Sequence, residues 1–356
     1  MKTKIVLTLL LSLISLMIGC KPEEEITFDF STIPSTEFIE HDLRNTDQII
    51  LNANILKNQL YFLSPLVISK IHANGENGEG RYHNTSLTFF KKYCLGKNYM
   101  ALSFPVYDQS IRFHSTIGDL LYDEIYIHIS RIATTINTPG TKYKRYNFGF
   151  DNVAISDFNE VLLPVVKSTD SSKVAFVLFD LEELIDSAYV NNYYYPEEDF
   201  IEILLPEETT KEIHRIEFFQ KNFYVSTNEN TYMIRPDGSF KLLTVGGATD
   251  FFEYDGKIYA DFGDRIGFTS DDGETWEEKN NTPTFDGFRE FEEVYDHLVF
   301  FYEDDLYQVN IDDFSYSILK NKGLEGSKIT AVMPFRQSIY VATLSGLFYK
   351  SIEELK

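Results

Sequence analysis

Ile258 to Trp276 reads IYADFGDRIGFTSDDGETW: an aromatic and β-branched run, a tight bend at Gly263-Asp264, a second run through Phe268, and a polar turn at Asp271-Asp272-Gly273. Two short runs of strand character parted by Gly and Asp form a hairpin, because those residues tolerate the positive φ that a tight bend imposes. The arrangement recurs in FYVSTNENTYMIRPDGSF from Phe223, LVFFYEDDLYQVNIDDFSY from Leu298 and IYVATLSGLFYKSIEEL from Ile339. The second residues of the four copies, Tyr224, Tyr259, Val299 and Tyr340, are 35, 40 and 41 residues apart. This is a repeat.

A second marker keeps the same register. Thirteen residues beyond each lead stand Asp237, Asp272, Asp312 and Glu353, and thirteen beyond Tyr61 stands Asn74, followed by Gly75. A period near 40 that holds about four short strands is what propeller blades require, since one blade cannot bury both of its faces until others stack against it. The expected fold class is therefore all-β: a β-propeller of about seven blades, each a four-stranded antiparallel sheet, with six or eight also compatible. A β-solenoid and a pair of sandwiches are the competing architectures. Tyr99 in KNYMALS and Phe176 in KVAFVLF supply further leads, while residues 105 to 215 hold the register poorly and suggest longer loops, such as one around Tyr193-Tyr194-Tyr195-Pro196.

Composition agrees with a folded chain. Of 356 residues, 43% are apolar and 15% aromatic, with only 19 Gly and 11 Pro, which excludes a disordered or collagen-like protein. The 55 acidic and 32 basic residues give a net charge of −23, which repels a phosphate backbone and excludes nucleic acid as a partner.

The first twenty residues, MKTKIVLTLLLSLISLMIGC, place two lysines before an uncharged run from Ile5 to Ile18 that is too short to span a bilayer, as in a signal peptide. Met17-Ile18-Gly19-Cys20 resembles the lipobox of bacterial lipoproteins, with Met where that family usually has Leu. The resemblance implies a signal peptide over 1–19, lipidation of Cys20 and attachment to a membrane by lipid alone, which two or three acyl chains make firm. The acidic run in Lys21-Pro22-Glu23-Glu24-Glu25 resembles the export signal of Bacteroidota surface lipoproteins and reads equally as a solvated spacer. The expected organisation is an acidic tether over 20–45 and a propeller over 46–356, in the outer membrane of a bacterial envelope and exposed at the cell surface if the export resemblance holds. Cys94 is the one other cysteine, so no intramolecular disulfide forms once Cys20 is acylated.

Thr269-Ser270-Asp271-Asp272-Gly273-Glu274-Thr275-Trp276 resembles the Asp-box of BNR repeats, found in sialidases and related propellers. The resemblance implies a structural role. Thr269 and Asp271 close a turn onto backbone amides, Gly273 takes a conformation closed to other residues, and Thr275 and Trp276 complete the motif, the indole packing between sheets. Sialidase chemistry also needs an arginine triad and an Arg-Ile-Pro signature. Ile234-Arg235-Pro236 has the wrong order, so sialidase activity is not expected.

No other chemistry declares itself. The seven histidines lie no closer than eleven residues apart, which gives no local metal-ligand spacing, and no nucleophile elbow or phosphate loop is present. The expectation is no catalytic residue, no metal and no cofactor, in a monomeric binding module for a protein or glycan ligand. Tyr193, Tyr194 and Tyr195 are the candidate ligand contacts, because tyrosine brings contact area and a hydroxyl at low entropic cost. The alternative is a glycan-active hydrolase or lyase that uses carboxylates of the central channel. A scaffold subunit, the third reading, would show an apolar patch on the rim or face of the disc.

Overall fold

The repeat folds because its first bend is short and left-handed: Lys57-Asn58, Asp255-Gly256 and Arg336-Gln337 all have φ between 49° and 68°, and Gln220 and Tyr295 begin the corresponding bends at 55° and 57°. Two central residues of positive φ match the twist of the strands they join. The structure, a computed structural model, describes residues 39–41, 49–64, 67–77, 81–82, 94–95, 99–102, 110–115, 124–128, 143–145, 153–167, 170–181, 189–190, 193–194, 200–206, 212–280, 285, 289–295 and 297–351. All lie in one unit, Ser35–Lys356.

The strands fall into seven sheets. After β1 (Ile39–Glu40), the first blade holds β2 (Asn52–Leu56), β3 (Gln59–Leu63), β4 (Val67–Ile71) and β5 (Arg81–Tyr82). The second holds β6 (Cys94–Leu95), β7 (Tyr99–Leu102), β8 (Ser110–Ser115) and β9 (Glu124–His128). The third gathers β10 (Tyr143–Arg145), β11 (Ala154–Ile155), β12 (Glu160–Lys167) and β13 (Asp170–Asp180); β14 (Tyr189–Val190) and β15 (Tyr193–Tyr194) then return to the edge of the second blade before β16 (Ile201–Ile203) completes the third.

Regularity follows. Blade four is β17 (Ile213–Phe219), β18 (Asn222–Thr227), β19 (Asn230–Ile234) and β20 (Phe240–Val245), and blade five is β21 (Asp250–Tyr254), β22 (Lys257–Asp261), β23 (Arg265–Thr269) and β24 (Glu277–Asn280). Blade six is β25 (Glu290–Val294), β26 (His297–Tyr302), β27 (Asp305–Val309) and β28 (Tyr316–Ile318). Blade seven takes β29 (Ile329–Phe335), β30 (Ser338–Thr343) and β31 (Gly346–Ser351), and its fourth strand is β1. Five sheets have four strands, as the repeat requires; blades two and three have six and five because inserted segments join their edges. The fold is an all-β, seven-bladed propeller.

β1 changes the expected boundary. Ile39 and Glu40, assigned by sequence to the tether, pair antiparallel with Tyr349 and Phe348, and the His41 amide donates to the Leu347 carbonyl at 2.7 Å. A free strand edge in the last blade would expose its backbone groups, and the N-terminal segment covers them. The ring also closes at its centre, where Thr330 Oγ1 in β29 donates to the Ile50 carbonyl at 2.8 Å.

Six of the seven lead residues occupy the second strand of their blade: Tyr61, Tyr99, Tyr224, Tyr259, Val299 and Tyr340. Phe176 does not. It lies on β13, the third strand, opposite Pro164, because β12 and β13 are longer than their counterparts and shift the register. Tyr224, Tyr259, Val299 and Tyr340 pack into the seams between sheets. Phe62 meets Tyr340 and Leu347 across blades one and seven, Tyr224 and Met233 meet Phe251 and Ile258 across four and five, and Tyr259 meets Phe291 and Phe300 across five and six. Each such side chain removed from water contributes roughly 1.5–3 kcal/mol.

Candidate functional site

The innermost strands turn their backbones to a common axis. β2, β11, β17, β21, β25 and β29 from six of the seven blades line one central cavity of about 400 Å³. Its register is regular in blades one, four, five, six and seven because the bend after the inner strand is two residues long in each. Asn54, Glu217, Phe252, Glu292 and Met333 stand directly opposite the leads Tyr61, Tyr224, Tyr259, Val299 and Tyr340. One layer further along lie Asn52, Arg215, Asp250, Glu290 and Ala331, opposite Leu63, Ser226, Asp261, Phe301 and Ala342.

Charge inside the channel is one-sided. Glu217, Glu253, Glu290, Glu292 and Glu293 line it, with Arg215 as the one cation among the described lining residues. That guanidinium is already engaged: Nε donates to Glu217 Oε1 at 2.6 Å and Nη2 lies 2.6 Å from Asp250 Oδ1, with the Asp250 side chain fully buried. Burial alone would push Arg215 down, but Asp250, Glu217 and Glu290 outweigh it and hold its proton more firmly than usual. Asp250 accepts a further hydrogen bond from the Phe291 amide of blade six at 2.8 Å. Beside it across the β21–β22 pair, buried Asp261 accepts from Arg289 Nε at 2.9 Å. Arginines from blades four and six thus hold two adjacent buried carboxylates of blade five.

The other end of the channel carries Glu253 and Glu293, one layer before the bends. Gln220 Nε2 of blade four donates to Glu253 Oε1 at 3.0 Å. Burial raises the Glu293 carboxyl above its ordinary value, and the nearby charges of Glu253 and Asp255 raise it further. No group of three or more His, Cys, Asp or Glu able to hold a metal ion occurs among the described residues.

The turn from Thr269 to Trp276 lies on the outside of the channel, between β23 and β24. Thr269 Oγ1 accepts from the Gly273 amide at 3.0 Å and donates to Asp271 Oδ1 at 2.9 Å, while Asp271 accepts from the Thr275 amide and hydroxyl, each at 2.7 Å. Gly273 has φ +86°, and a Cβ there would lie 2.4 Å from Met233 Sδ of the preceding blade. Half-buried Trp276 covers Gly267, where a Cβ would lie 2.3 Å from the ring. The turn also docks sideways, with Arg235 Nη2 of blade four donating to Glu274 Oε1 at 2.6 Å.

Tyr193 and Tyr194 are not in a loop. Their backbone forms β15, which pairs with β14 and runs parallel to β9 on the outer edge of blade two. A run of tyrosines fits an extended backbone, and the inserted segment adds to an edge that would otherwise stay open. Tyr195 and Cys20 lie outside the described residues. The sequence reading named none of the channel residues, although the signal existed: each sits at a fixed step before a lead residue, inside the run that precedes the first bend.

No protein-family profile matches the chain, and neither does any curated protein sequence. Solved structures do. Catalytically inactive virginiamycin B lyase from Staphylococcus aureus, with quinupristin, superposes at a TM-score of 0.55 and 10% identity over 88% of this chain and 98% of its own. The extracellular domain of the hybrid two component system BT4673 from B. thetaiotaomicron superposes at 0.56 and 12% identity; this chain covers 39% of that one. The computationally designed Ika8 protein superposes at 0.52 and 9% identity, matched over its whole length. At such identities the likeness concerns the fold, and it is the propeller fold.

Proposed function

We propose that this protein is a lipid-anchored module of the bacterial envelope that binds, without catalysis, a protein or glycan ligand at the mouth of its central channel. The lining of that channel carries the reading: five glutamates line about 400 Å³ of space, and the one arginine among the described lining residues is bound to Glu217 and to the buried Asp250 behind the wall. Such a lining is rich in acceptors, so it suits a ligand dense in donors, either the hydroxyls of a neutral glycan or the lysines and arginines of a protein. The test titrates the full-length chain in detergent with neutral oligosaccharides and with a lysine-rich peptide. One of the two should bind, and Glu253→Gln with Glu292→Gln should weaken it at least tenfold; no binding, or binding indifferent to that pair, overturns the reading. The anchor is tested separately by palmitate labelling in a bacterial host, which Cys20→Ala should abolish.

A second reading, glycan cleavage, draws on Glu293, whose carboxyl is raised beside Glu253. Two neighbouring carboxyls, one of them raised by its surroundings, are the arrangement that general acid catalysis of glycoside cleavage uses. Release of new reducing ends that Glu293→Gln eliminates would establish it.

A further inference from the structure

The rim of the disc has one side that its charge does not protect. Of the ten large apolar side chains exposed among the described residues, five stand on the rims of blades three and four: Ile201, Leu204, Phe240, Leu242 and Val245. Their exposures run from 36% at Ile201 to 71% at Val245. The two groups adjoin, since Ile201 Cγ2 lies only 2.4 Å from where a Cβ of Gly238 would stand, at the turn leading into β20.

The orientation of β20 is held in place. Its polar residues reach across to blade five, with Lys241 Nζ donating to the carbonyls of Gly273 and Glu274 and Thr244 Oγ1 donating to Glu278. Phe240, Leu242 and Val245 are left facing water. The equivalent strand of blade five, Glu277–Asn280, reads EEKN, the charged pattern that normally guards an edge. β20 is also the last strand of its sheet among the described residues. Blade two shows what an edge in this ring accepts, because β15 has added itself beyond the outer strand β9. Exposed carboxylates mark both ends of β20: Asp237 in the turn before it, and Glu229, whose carbonyl accepts from the Gly246 amide just after it.

We propose that β20 is a docking edge for an extended segment of a partner protein, added as a fifth strand, with apolar side chains at alternate positions and basic residues at its ends. Backbone hydrogen bonds would supply affinity, and the alternate apolar contacts would supply specificity. Charge selects against a second copy of this chain, since each copy carries −23 and would bring its own Asp237 and Glu229 to the joint. The site is independent of the channel.

The test uses the full-length chain in detergent and a nine-residue peptide, Lys-Val-Ser-Val-Ser-Val-Ser-Val-Lys. Binding should slow amide hydrogen exchange within residues 240–245. Leu242→Asp should weaken binding at least tenfold without lowering the melting temperature, because Leu242 is half exposed. A peptide with glutamate at both ends should bind more weakly in low salt, and Ile318→Asp, on the exposed outer strand of blade six, should leave peptide binding unchanged, which separates this edge from the others of the ring. No binding, binding unaffected by Leu242→Asp, or protection confined to other strands overturns the proposal. So does a concentration-dependent dimer that Leu242→Asp dissolves, which would give the edge to a second copy.

Discussion

Asn222, at the start of β18, donates its side-chain amide across the seam between blades to the backbone carbonyl of Asp272 at 2.9 Å. The neighbouring residue adds an ion pair, Lys221 Nζ to Asp272 Oδ2 at 3.2 Å, with the lysine 74% exposed. The two contacts differ in worth. Asn222 is buried, so Asn222→Ala leaves a carbonyl without its donor and should cost about 1–3 kcal/mol. Lys221→Ala breaks a solvated pair and should cost about 0–1 kcal/mol. Urea denaturation at neutral pH compares the two; equal losses would show that the seam is not held by the amide.

Gly267 lies under the indole of Trp276, with room for no side chain. Gly267→Ala should therefore displace the ring and destabilise the protein by about 1–3 kcal/mol, the usual penalty for overpacking. Trp276 is the one tryptophan of the chain, so its emission reports the displacement without ambiguity. A red shift is expected, since a half-buried ring moves toward water.

Acid should loosen the turn from Thr269 to Trp276. The amide and hydroxyl of Thr275, with Thr269, hold the Asp271 carboxyl below its ordinary value of 3.8. A carboxyl depressed on folding stabilises the folded state above its unfolded value, and that contribution is lost as pH falls through the folded one. Stability of the native chain should consequently fall as pH drops below about 4, and Asp271→Asn should be less stable at neutral pH and show a shallower acid decline. Parallel slopes for the two proteins between pH 5 and pH 2 would refute the assignment.

Arg215 and Asp250 are both buried at the channel wall, with side-chain exposures of 6% and 0%. Removing one member of such a pair leaves the other buried without its counter-charge, so Arg215→Met should cost about 3–5 kcal/mol. Arg215→Met with Asp250→Leu should recover part of the loss, although the Phe291 amide then lacks its acceptor. A double-mutant cycle measured by denaturation gives the coupling.

These residues mark the limit of what the sequence disclosed. The leads Tyr224, Tyr259, Val299 and Tyr340 were legible because they are packed between two sheets, a place that favours an aromatic or β-branched side chain. The polar turn thirteen residues later was legible because in blades one, four, five and six its Asn or Asp stands three residues past the end of the third strand. Arg215, Glu217, Glu253 and Glu292 vary from blade to blade, since the channel imposes position and not residue type. Their register follows the leads, but their chemistry has no repeat to reveal it. Phe176 misled because a longer hairpin keeps strand character while shifting which strand carries the aromatic. β1 is two residues long and meets its partner at the far end of the chain, so no local pattern could assign it.

Closure by that short strand is the feature most exposed to disruption. Ile39 and Glu40 pair with Tyr349 and Phe348, the His41 amide bonds to Leu347, and the His41 ring sits 5.9 Å from Tyr349 and 6.2 Å from Tyr340. Each backbone hydrogen bond contributes on the order of 1 kcal/mol net, and the contact also covers the edge of β31. Removing residues 1–41 should thus lower the melting temperature and leave β31 as an open edge with Tyr349 beside it, a template for pairing with another chain. Self-association detected by sedimentation, absent when the chain begins at Ser35, is the expected result. If both versions melt alike and stay monomeric, the N-terminal segment does not hold the ring closed, and the blade must be sealed by β29, β30 and β31 alone.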